Sequence, residues 1–383
     1  MKHPAITLLL LMTGAVLVVG QLYVTIPLAA DLAQRWQVSA TQASWAGSAF
    51  GFAYAAGFLL LGRLSDRLGR RRVLLAGLLA TAAASVLVAC ATNFVMLLGT
   101  RALQGLLAAT FPPAALALVA EALLPARRPL GISLLSFAFL ASAPLAQFLA
   151  AQSAGFGLPI MMAALALAYV LLAAGLSQTL PLPSPTTSEP VLTPMQSASQ
   201  ASPPALLGVW LAATTVLFGF VTFHAGAQAM GLEAAALQAL RLAGLPPLLL
   251  SIAAAGLVRR IGTLATVRLG LILAATGLLA GWSGQFGALM VASVLLSAGI
   301  ALAVPGLIGT LASRSSPETR ARAMSRYTFA LFMGASVAPP IAAVLAAQGW
   351  PVLLLVPAAA LIGAAVIVGG WPTARIPHPK ENR

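Results

Sequence analysis

The chain has 383 residues, of which 60% are hydrophobic and 7% are charged, and its formal net charge is +14. An ordinary soluble domain has about 25% charged residues, so this composition excludes a soluble globular enzyme, a disordered chain and a coiled coil. The single cysteine, Cys90, excludes disulfides and cysteine-based zinc sites, and the seven acidic residues are too scattered for a metal cage. We therefore expect an integral membrane protein that needs no metal or cofactor.

Twelve apolar segments follow one another along the chain, separated by short polar loops. A helix that crosses a bilayer needs about 20 predominantly apolar residues. The segments are continuously apolar rather than alternating, which favours membrane helices over barrel strands. The first run is too long for the core of a signal peptide and is retained as a helix. The predicted membrane helices cover residues 4–30, 42–62, 73–94, 96–122, 130–153, 157–179, 204–227, 233–257, 265–281, 287–313, 323–347 and 350–371.

The basic residues lie mainly in the loops on one side of these helices. The largest cluster falls within residues 63–72, and further arginines stand at 127–128, 259–260 and 320–326. Because cytoplasmic loops of membrane proteins carry the excess of Lys and Arg, both termini are predicted to be cytoplasmic. The same distribution argues against a nucleic-acid partner, since no domain remains to carry a continuous basic surface.

A Pro/Ser-rich stretch at residues 180–203 divides the chain. Such a composition cannot bury itself and indicates a flexible cytoplasmic linker. It separates a predicted six-helix bundle at residues 1–179 from a second one at 204–371, which is followed by a cytoplasmic tail at 372–383. The bundles share a pattern, because PARRPLGISLLSF at 125–137 and PETRARAMSRYTF at 317–329 coincide in Pro, Arg, Ser and Phe. Two parallel six-helix repeats are typical of alternating-access transporters.

Three short motifs carry a resemblance to a known family. Residues 62–72 read GRLSDRLGRRR and resemble the signature loop of the major facilitator superfamily, G-x-L-x-D-R-x-G-R-[RK], between the second and third helices. The equivalent loop of the second half, LVRRIG at 257–262, resembles an eroded copy. RALQG at 101–105 is similar to the R-x-x-Q-G motif of the fourth helix. The resemblance covers the whole chain and implies the all-α, twelve-helix major facilitator fold.

Within that superfamily the chain looks most like the bacterial drug:proton antiporters and their sugar-efflux relatives. This resemblance implies a secondary transporter of the bacterial inner membrane that exports small organic molecules by alternating access, coupled to protons. The antiporter motif of the fifth helix has Gly-Pro followed by Gly-Gly, whereas residues 143–148 read APLAQF. The missing glycines leave an alternative open, namely uptake or facilitated diffusion of a sugar or an organic anion.

The resemblance also implies a gate at the cytoplasmic ends of the helices, in which Asp66 pairs with basic residues across the two halves. Gly62 is expected at a close helix contact and Gly69 at a tight turn. Glu121 and Arg128 have the Glu-x6-Arg spacing of sugar porters, with a solvated interfacial charge as the alternative for Glu121. The predicted gate comprises Gly62, Asp66, Arg67, Gly69, Arg70, Arg71, Glu121, Arg128 and Arg320.

Two arginines fall inside predicted spans, where a charge is costly and marks function by default. Arg101 shares a helix face with Gln104, and Arg241 lies on the outer side of the Pro246-Pro247 pair. For Arg101 the alternative is a side chain that extends to the outer membrane surface. The predicted substrate cavity comprises Gln21, Tyr23, Arg101, Gln104 and Arg241.

Asp31 and His224 are the candidates for carrying a coupling proton. Asp31 comes at the outer end of the predicted first helix, where a solvated terminal carboxylate is the alternative. His224 comes near the outer end of the seventh helix, and histidine ordinarily changes charge near neutral pH, but it could equally be an interfacial histidine. No carboxylate is predicted deep in the membrane, so a cavity biased positive by two arginines favours neutral or anionic substrates over lipophilic cations.

Other classes of membrane protein fit the sequence less well. A membrane-embedded transferase needs clustered acids or histidines, whereas His3 and His378 lie in the tails. No selectivity-filter pattern indicates a channel, and no G-x-x-x-x-G-K-[ST] loop indicates coupling to ATP. The expected partners are a small-molecule substrate, protons and the lipid bilayer. Since one chain holds both repeats, it is expected to act as a monomer.

Overall fold

The computed structural model describes residues 4–62, 64–124, 127–180 and 203–369, apart from the side chains of residues 65, 66, 121, 122, 203–206, 317, 318 and 369. These residues form helices joined by turns, with no strand in the described ranges. The helices are α1 Pro4–Gly20, α2 Ala29–Trp36, α3 Ala40–Leu60, α4 Leu64–Leu68, α5 Arg70–Ala89, α6 Phe94–Ala108, α7 Phe111–Ala122, α8 Arg128–Gln152, α9 Gly157–Thr179, α10 Pro203–Ala229, α11 Ala234–Ala243, α12 Leu250–Ile261, α13 Thr263–Ala280, α14 Phe286–Arg314, α15 Pro317–Ala346 and α16 Trp350–Gly369.

Eleven helical segments in the described part of the chain are long and apolar enough to cross a membrane, and α1 is a shorter apolar helix of 17 residues. Together they correspond one to one with the twelve predicted segments. The prediction of an all-α, multi-pass membrane protein is therefore confirmed. The proposed linker at 180–203 and tail at 372–383 lie almost entirely outside the described residues, so these two boundaries remain proposals.

The first predicted segment needs a correction, because residues 4–30 do not form one helix. Helix α1 ends at Gly20, residues 21–28 follow as turns, and α2 begins at Ala29. A side chain from another helix binds the backbone at this break. The Arg101 guanidinium of α6 donates a hydrogen bond from Nη2 to the carbonyl oxygen of Gln21 at 2.6 Å. Pro27 contributes too, because it has no N–H to continue a helix.

Two further spans are interrupted at prolines. The segment predicted at 96–122 consists of α6 and α7, which meet just before Pro112 and Pro113. The segment predicted at 233–257 consists of α11 and α12, joined by a 3-10 turn at Pro246–Leu249. Membrane helices tolerate such breaks where neighbouring helices satisfy the freed backbone groups.

Helices α1–α9, the N-terminal half, and helices α10–α16, the C-terminal half, meet along two main seams. In one, α3 packs against α15, and in the other α8 packs against α11, α12 and the turn between them. Small residues bring α3 and α15 close together. A Cβ atom at Gly51 would lie 2.9 Å from the Cβ of Ser336 and 2.7 Å from Cδ1 of Leu22. The seam therefore depends on glycine, as membrane helix contacts commonly do.

Candidate functional site

A cavity of about 690 Å³ lies between the two halves. This volume is in the range of small-molecule sites, roughly 300–1,000 Å³. The wall is formed by residues of α1, α3, α7 and α8 from the N-terminal half and of α10, α14 and α15 from the C-terminal half. Its aromatic lining residues are Tyr23, Tyr54, Phe58, Phe139, Phe220, Tyr327 and Phe332.

The cavity reaches the surface at the arginine-rich end of the helices. The lining residues Arg67, Arg322 and Arg326 are exposed at that end. At the other extreme the lining residues Tyr23 and Phe220 are buried. The central cavity is therefore accessible at the arginine-rich end, while the residues at its other extreme are buried.

Aromatic rings of both halves form the contact that borders the cavity. The Tyr54 ring of α3 meets the Phe332 ring of α15 edge to face, with 4.7 Å between ring centroids. Phe58 stacks on the same Phe332 ring at 5.7 Å and meets Tyr54 at 5.0 Å. Offset-stacked and edge-to-face pairs at these distances are the favourable arrangements of aromatic rings.

The polar residues of the cavity wall are arginines, tyrosines and the hydroxyl residues Ser136, Ser325 and Thr328. Of the described lining side chains, the charged ones are Arg67, Arg322 and Arg326. The hydroxyl oxygens of Tyr54 and Tyr327 are buried and have no hydrogen-bond partner in the described part of the molecule. A ligand in this cavity thus meets mainly apolar and aromatic surface and a positively charged mouth, with the two buried tyrosine hydroxyls behind the wall.

Arg101 lies in the interior of the N-terminal half, where backbone and amide oxygens surround it. Its guanidinium donates to the carbonyl oxygens of Ala46 at 3.1 Å and Gln21 at 2.6 Å. It also donates to the side-chain oxygens of Gln21 at 3.1 Å and Gln104 at 2.6 Å, and lies over the Phe50 ring at 4.7 Å. The side chain is fully buried, so these bonds join α3, α6 and the turn that follows α1 around one cation.

The predicted cavity residues therefore occupy different places. Tyr23 lies on the wall of the central cavity. Arg101 and Gln104 lie in the buried network instead and do not contribute to the described wall. Gln21 lines a second, smaller and mainly apolar pocket of about 400 Å³ between α1, α8 and α9. The assignment of these polar residues to a substrate cavity stays a prediction.

Arg241 and His224 belong to a polar cluster in the C-terminal half. Arg241 is 2% exposed and donates from Nη2 to Oε1 of Gln228 at 2.8 Å. His224 precedes Gln228 by one turn of α10, and its Nδ1 lies 3.0 Å from the carbonyl oxygen of Phe220. Because a carbonyl oxygen only accepts, Nδ1 carries the hydrogen and Nε2 of a neutral ring is an acceptor. That Nε2 is buried and has no partner among the described residues.

Asp31 has a different environment from His224. It is exposed in the first turn of α2, beyond the break that ends α1. A carboxylate in the first turn of a helix is favoured by the positive end of the helix dipole. The two candidates for proton coupling are thus a solvent-facing carboxylate and a buried imidazole beside the cavity-lining Phe220, whose ring centroid lies 4.3 Å from that of His224.

The predicted gate residues gather at the arginine-rich end. Gly69 has φ +87°, in the region that favours glycine, and links α4 to α5. Gly62 lies close to α15, since a Cβ atom there would be 3.1 Å from Oγ of Ser325. Arg71 donates to the carbonyl oxygen of Ser177 at 2.8 Å, which is a contact within the N-terminal half. The side chains of Asp66 and Glu121 lie outside the described residues, so the predicted pairing across the halves stays a proposal.

The other predicted gate arginines differ in what the structure shows of them. Arg128 is exposed at the start of α8, and its Nε donates to the carbonyl oxygen of Leu123 at 3.0 Å. Arg320 is exposed in α15. Arg70 is the first residue of α5 and is not without an interaction partner in the structure.

Several cavity residues were not found from the sequence. Tyr54, Phe58, Tyr327 and Phe332 all lie in predicted spans, where aromatic residues usually belong to the packed core. A signal was present, because residues 50, 54 and 58 are aromatic at a spacing of four and share one face of α3. Periodicity shows that such residues share a face, but it does not show whether that face borders a cavity. Among the described residues, no group of three or more His, Cys, Asp or Glu side chains forms a metal site.

Comparison with known proteins identifies the family. The model of the Major Facilitator Superfamily matches residues 11–262 and 222–383, which together cover most of the sequence. The chain belongs to the major facilitator superfamily. As a member it is a membrane transporter and not an enzyme. The predicted fold class and family are confirmed.

Two curated relatives of this major facilitator protein are drug-resistance proteins. The chain is 39% identical over 88 residues to the multidrug efflux pump LfrA of Mycolicibacterium smegmatis, and 42% identical over 82 residues to the puromycin resistance protein pur8 of Streptomyces alboniger. These matches cover 23% and 21% of the chain but only 18% and 16% of the relatives. They support a link with efflux but do not show the substrate.

The crystal structure of the human organic anion transporter MFSD10 (TETRAN) has a similar fold. The TM-score is 0.69, and the alignment covers 95% of this chain and 99% of the human one at 19% sequence identity. At that identity the similarity shows the shared fold alone.

Proposed function

We propose that this transporter exports small organic molecules by alternating access, with its N- and C-termini on the cytoplasmic side of a bacterial inner membrane. The observation that carries this proposal is the central cavity, which lies between the two halves and opens at the arginine-rich end. Since basic ends face the cytoplasm, this conformation can load substrate from inside the cell. The efflux and resistance relatives support the outward direction.

The substrate is neutral or anionic. The charged side chains described on the cavity wall are arginines, and the other described charges buried within the spans are Arg101 and Arg241. A positive potential in a site with low-dielectric walls attracts anions and repels cations. The apolar and aromatic remainder of the wall favours a lipophilic body.

Proton coupling is assigned to His224 rather than to Asp31. His224 is buried in α10 next to the cavity wall, and its Nε2 has no partner among the described residues. A group that takes up and releases a proton in each transport cycle must have access to the cavity in one state and to the other side in the next. Asp31 is exposed outside α1 and supports this role less well. Arg241 and Gln228 complete the cluster around His224.

The proposed charge selectivity has a direct test in reconstituted membranes. Naphthalenesulfonate and a naphthyl trimethylammonium salt share one ring system and carry opposite permanent charges. In proteoliposomes with an imposed pH gradient, we expect protein-dependent movement of the sulfonate and little of the ammonium compound. Empty liposomes and the Arg67→Gln, Arg322→Gln, Arg326→Gln triple variant serve as controls, and the variant should lose most of the preference. Robust transport of the quaternary cation by the native protein would falsify the proposal.

The same measurement separates export from the alternative of uptake or facilitated diffusion. An exporter coupled to protons moves the sulfonate against its gradient when protons flow in the opposite direction. A facilitator only equalises the concentrations on the two sides. Accumulation that depends on the pH gradient supports export, and equilibration alone supports the alternative.

A further inference from the structure

We propose that the hydroxyl groups of Tyr54 and Tyr327 are hydrogen-bonding sites for the transported molecule, which is a flat aromatic compound carrying hydroxyl or carbonyl oxygens. This inference rests on the proposed function of the central cavity. It adds the chemical class of the substrate and two residues that determine specificity.

The first observation is that both hydroxyls lack a partner. The oxygens of Tyr54 and Tyr327 are buried without a hydrogen bond in the described part of the molecule. Buried tyrosine hydroxyls usually find a partner, because leaving one unpaired costs free energy. Tyr169 shows the ordinary case, since its hydroxyl donates to the carbonyl oxygen of Leu17 at 2.8 Å. Tyr54 and Tyr327 thus differ from Tyr169, and both belong to residues that line the same cavity.

The second observation is where the two tyrosines lie. Tyr54 belongs to α3 of the N-terminal half and Tyr327 to α15 of the C-terminal half, and both line the central cavity. A ligand that pairs with both hydroxyls bridges the two halves. Both hydroxyls are buried in this conformation, so binding requires a change of side-chain rotamer that brings each oxygen to the cavity, and interface rotamer changes are common on binding.

The third observation is the aromatic lining of the cavity to which these tyrosines belong. Tyr54 packs against Phe58 and Phe332, and Phe139 and Phe220 complete the aromatic wall. Aromatic side chains prefer an aromatic ligand, which they meet edge to face or offset-stacked. A phenol hydroxyl can donate and accept, so it pairs equally with a hydroxyl or a carbonyl oxygen of the ligand. An acidic group on the same molecule fits the arginine-lined mouth.

The first test needs no ligand and compares the thermal stability of three variants in lipid nanodiscs. Tyr54→Phe and Tyr327→Phe each remove an unpaired buried hydroxyl and should leave the melting temperature unchanged or raise it by about 1–3 °C. Tyr169→Phe removes a paired hydroxyl and leaves the Leu17 carbonyl without its donor, so it should lower the melting temperature. Equal losses in all three variants would show that the hydroxyls of Tyr54 and Tyr327 are paired, and would overturn the inference.

The second test measures binding of naphthalene, 2-naphthol and 2,7-dihydroxynaphthalene to the same nanodiscs, with empty nanodiscs subtracted. We expect affinity for the native protein to rise roughly 3- to 10-fold with each hydroxyl group. Tyr54→Phe and Tyr327→Phe should each remove one such step for the dihydroxy compound and leave naphthalene unchanged. Tyr169→Phe should leave the ratios unchanged.

These tests separate the inference from the proposed function. Affinity that does not depend on the ligand hydroxyls, equal effects of the Tyr169 variant, or no binding of any of the three compounds overturns the inference. Selective binding lost in the two cavity variants supports it, even if proteoliposomes show no export. In that case the proposed function fails and the binding site stands.

Discussion

Two buried arginines in the membrane-spanning part of this transporter have opposite surroundings. Arg101 donates to four oxygen acceptors on α3, α6 and the turn after α1, whereas Arg241 has one hydrogen bond in the described part of the chain, to Gln228. A buried cation with many acceptors holds its neighbours in place. A buried cation with a single neutral acceptor contributes little to stability, because the cost of desolvation is hardly offset. The first residue thus has the surroundings of a structural role, whereas the hydrogen bonds of the second do not indicate one.

Substitution of Arg101 should destabilise the protein strongly. Arg101→Met leaves the oxygens of Ala46, Gln21 and Gln104 buried without their donor, and we expect a loss of about 3–5 kcal/mol in the free energy of unfolding. Arg101→Lys keeps the charge but not the forked geometry and should be intermediate. Denaturant unfolding in detergent measures both variants. A Met variant as stable as the native protein would contradict the structural role.

Substitution of Arg241 should reduce transport and leave stability nearly unchanged. Arg241→Met exchanges a poorly paired cation for an apolar side chain of similar length, and we expect a change within about 1 kcal/mol in the free energy of unfolding. Transport of naphthalenesulfonate should fall to a tenth or less, since the cluster around His224 loses its positive charge. Unchanged transport with lost stability would mean that Arg241 only supports the fold.

At the scale of helices, the contact between α3 and α15 decides whether this conformation can form. Gly51 faces Ser336 and Leu22 so closely that no larger side chain fits without movement. Leu22 belongs to the same half as Gly51, whereas Ser336 belongs to the other half, so bulk at this position presses on both. It opposes the approach of the two halves.

We therefore expect Gly51→Ala to shift the protein away from the conformation described here. The added methyl group would have to displace Ser336 or Leu22, and so the helices should separate. Spin labels on α3 and α15 would report this as a longer distance between the helices. Gly99→Ala is the matched control, since a Cβ atom there meets nothing within 4 Å. Equal distance distributions for the native protein and both variants would contradict the prediction.

The helices were largely predictable, because hydropathy over about 20 residues is a strong and local signal. The break of α1 at Gly20 was not, since it depends on Arg101, some 80 positions away in sequence. For the same reason the sequence places Arg101 and Gln104 in a cavity, whereas the structure surrounds them with protein oxygens. Tyr54 and Tyr327 were not identified from the sequence, because a missing hydrogen-bond partner is visible only in the three-dimensional packing.

At the scale of the whole molecule, the transporter has a central cavity with a positive mouth, an aromatic wall and a neighbouring buried imidazole. The cavity reaches the surface at the arginine-rich end, and α3 and α15 pack together between the two halves. A transport cycle requires that this cavity close at that end and open at the other. Protonation of His224 is the step that we assign to biasing this exchange, because a second positive charge beside Arg241 is unfavourable in a buried cluster.

The most direct test of the account is the movement of protons driven by substrate. Proteoliposomes that contain a pH-sensitive dye and naphthalenesulfonate would be diluted into buffer that lacks the sulfonate. We predict a change of internal pH that requires both the sulfonate and the protein, is abolished in His224→Gln and persists in Asp31→Asn. Efflux of the sulfonate with no change of internal pH in the native protein would contradict the account and identify the protein as a facilitator.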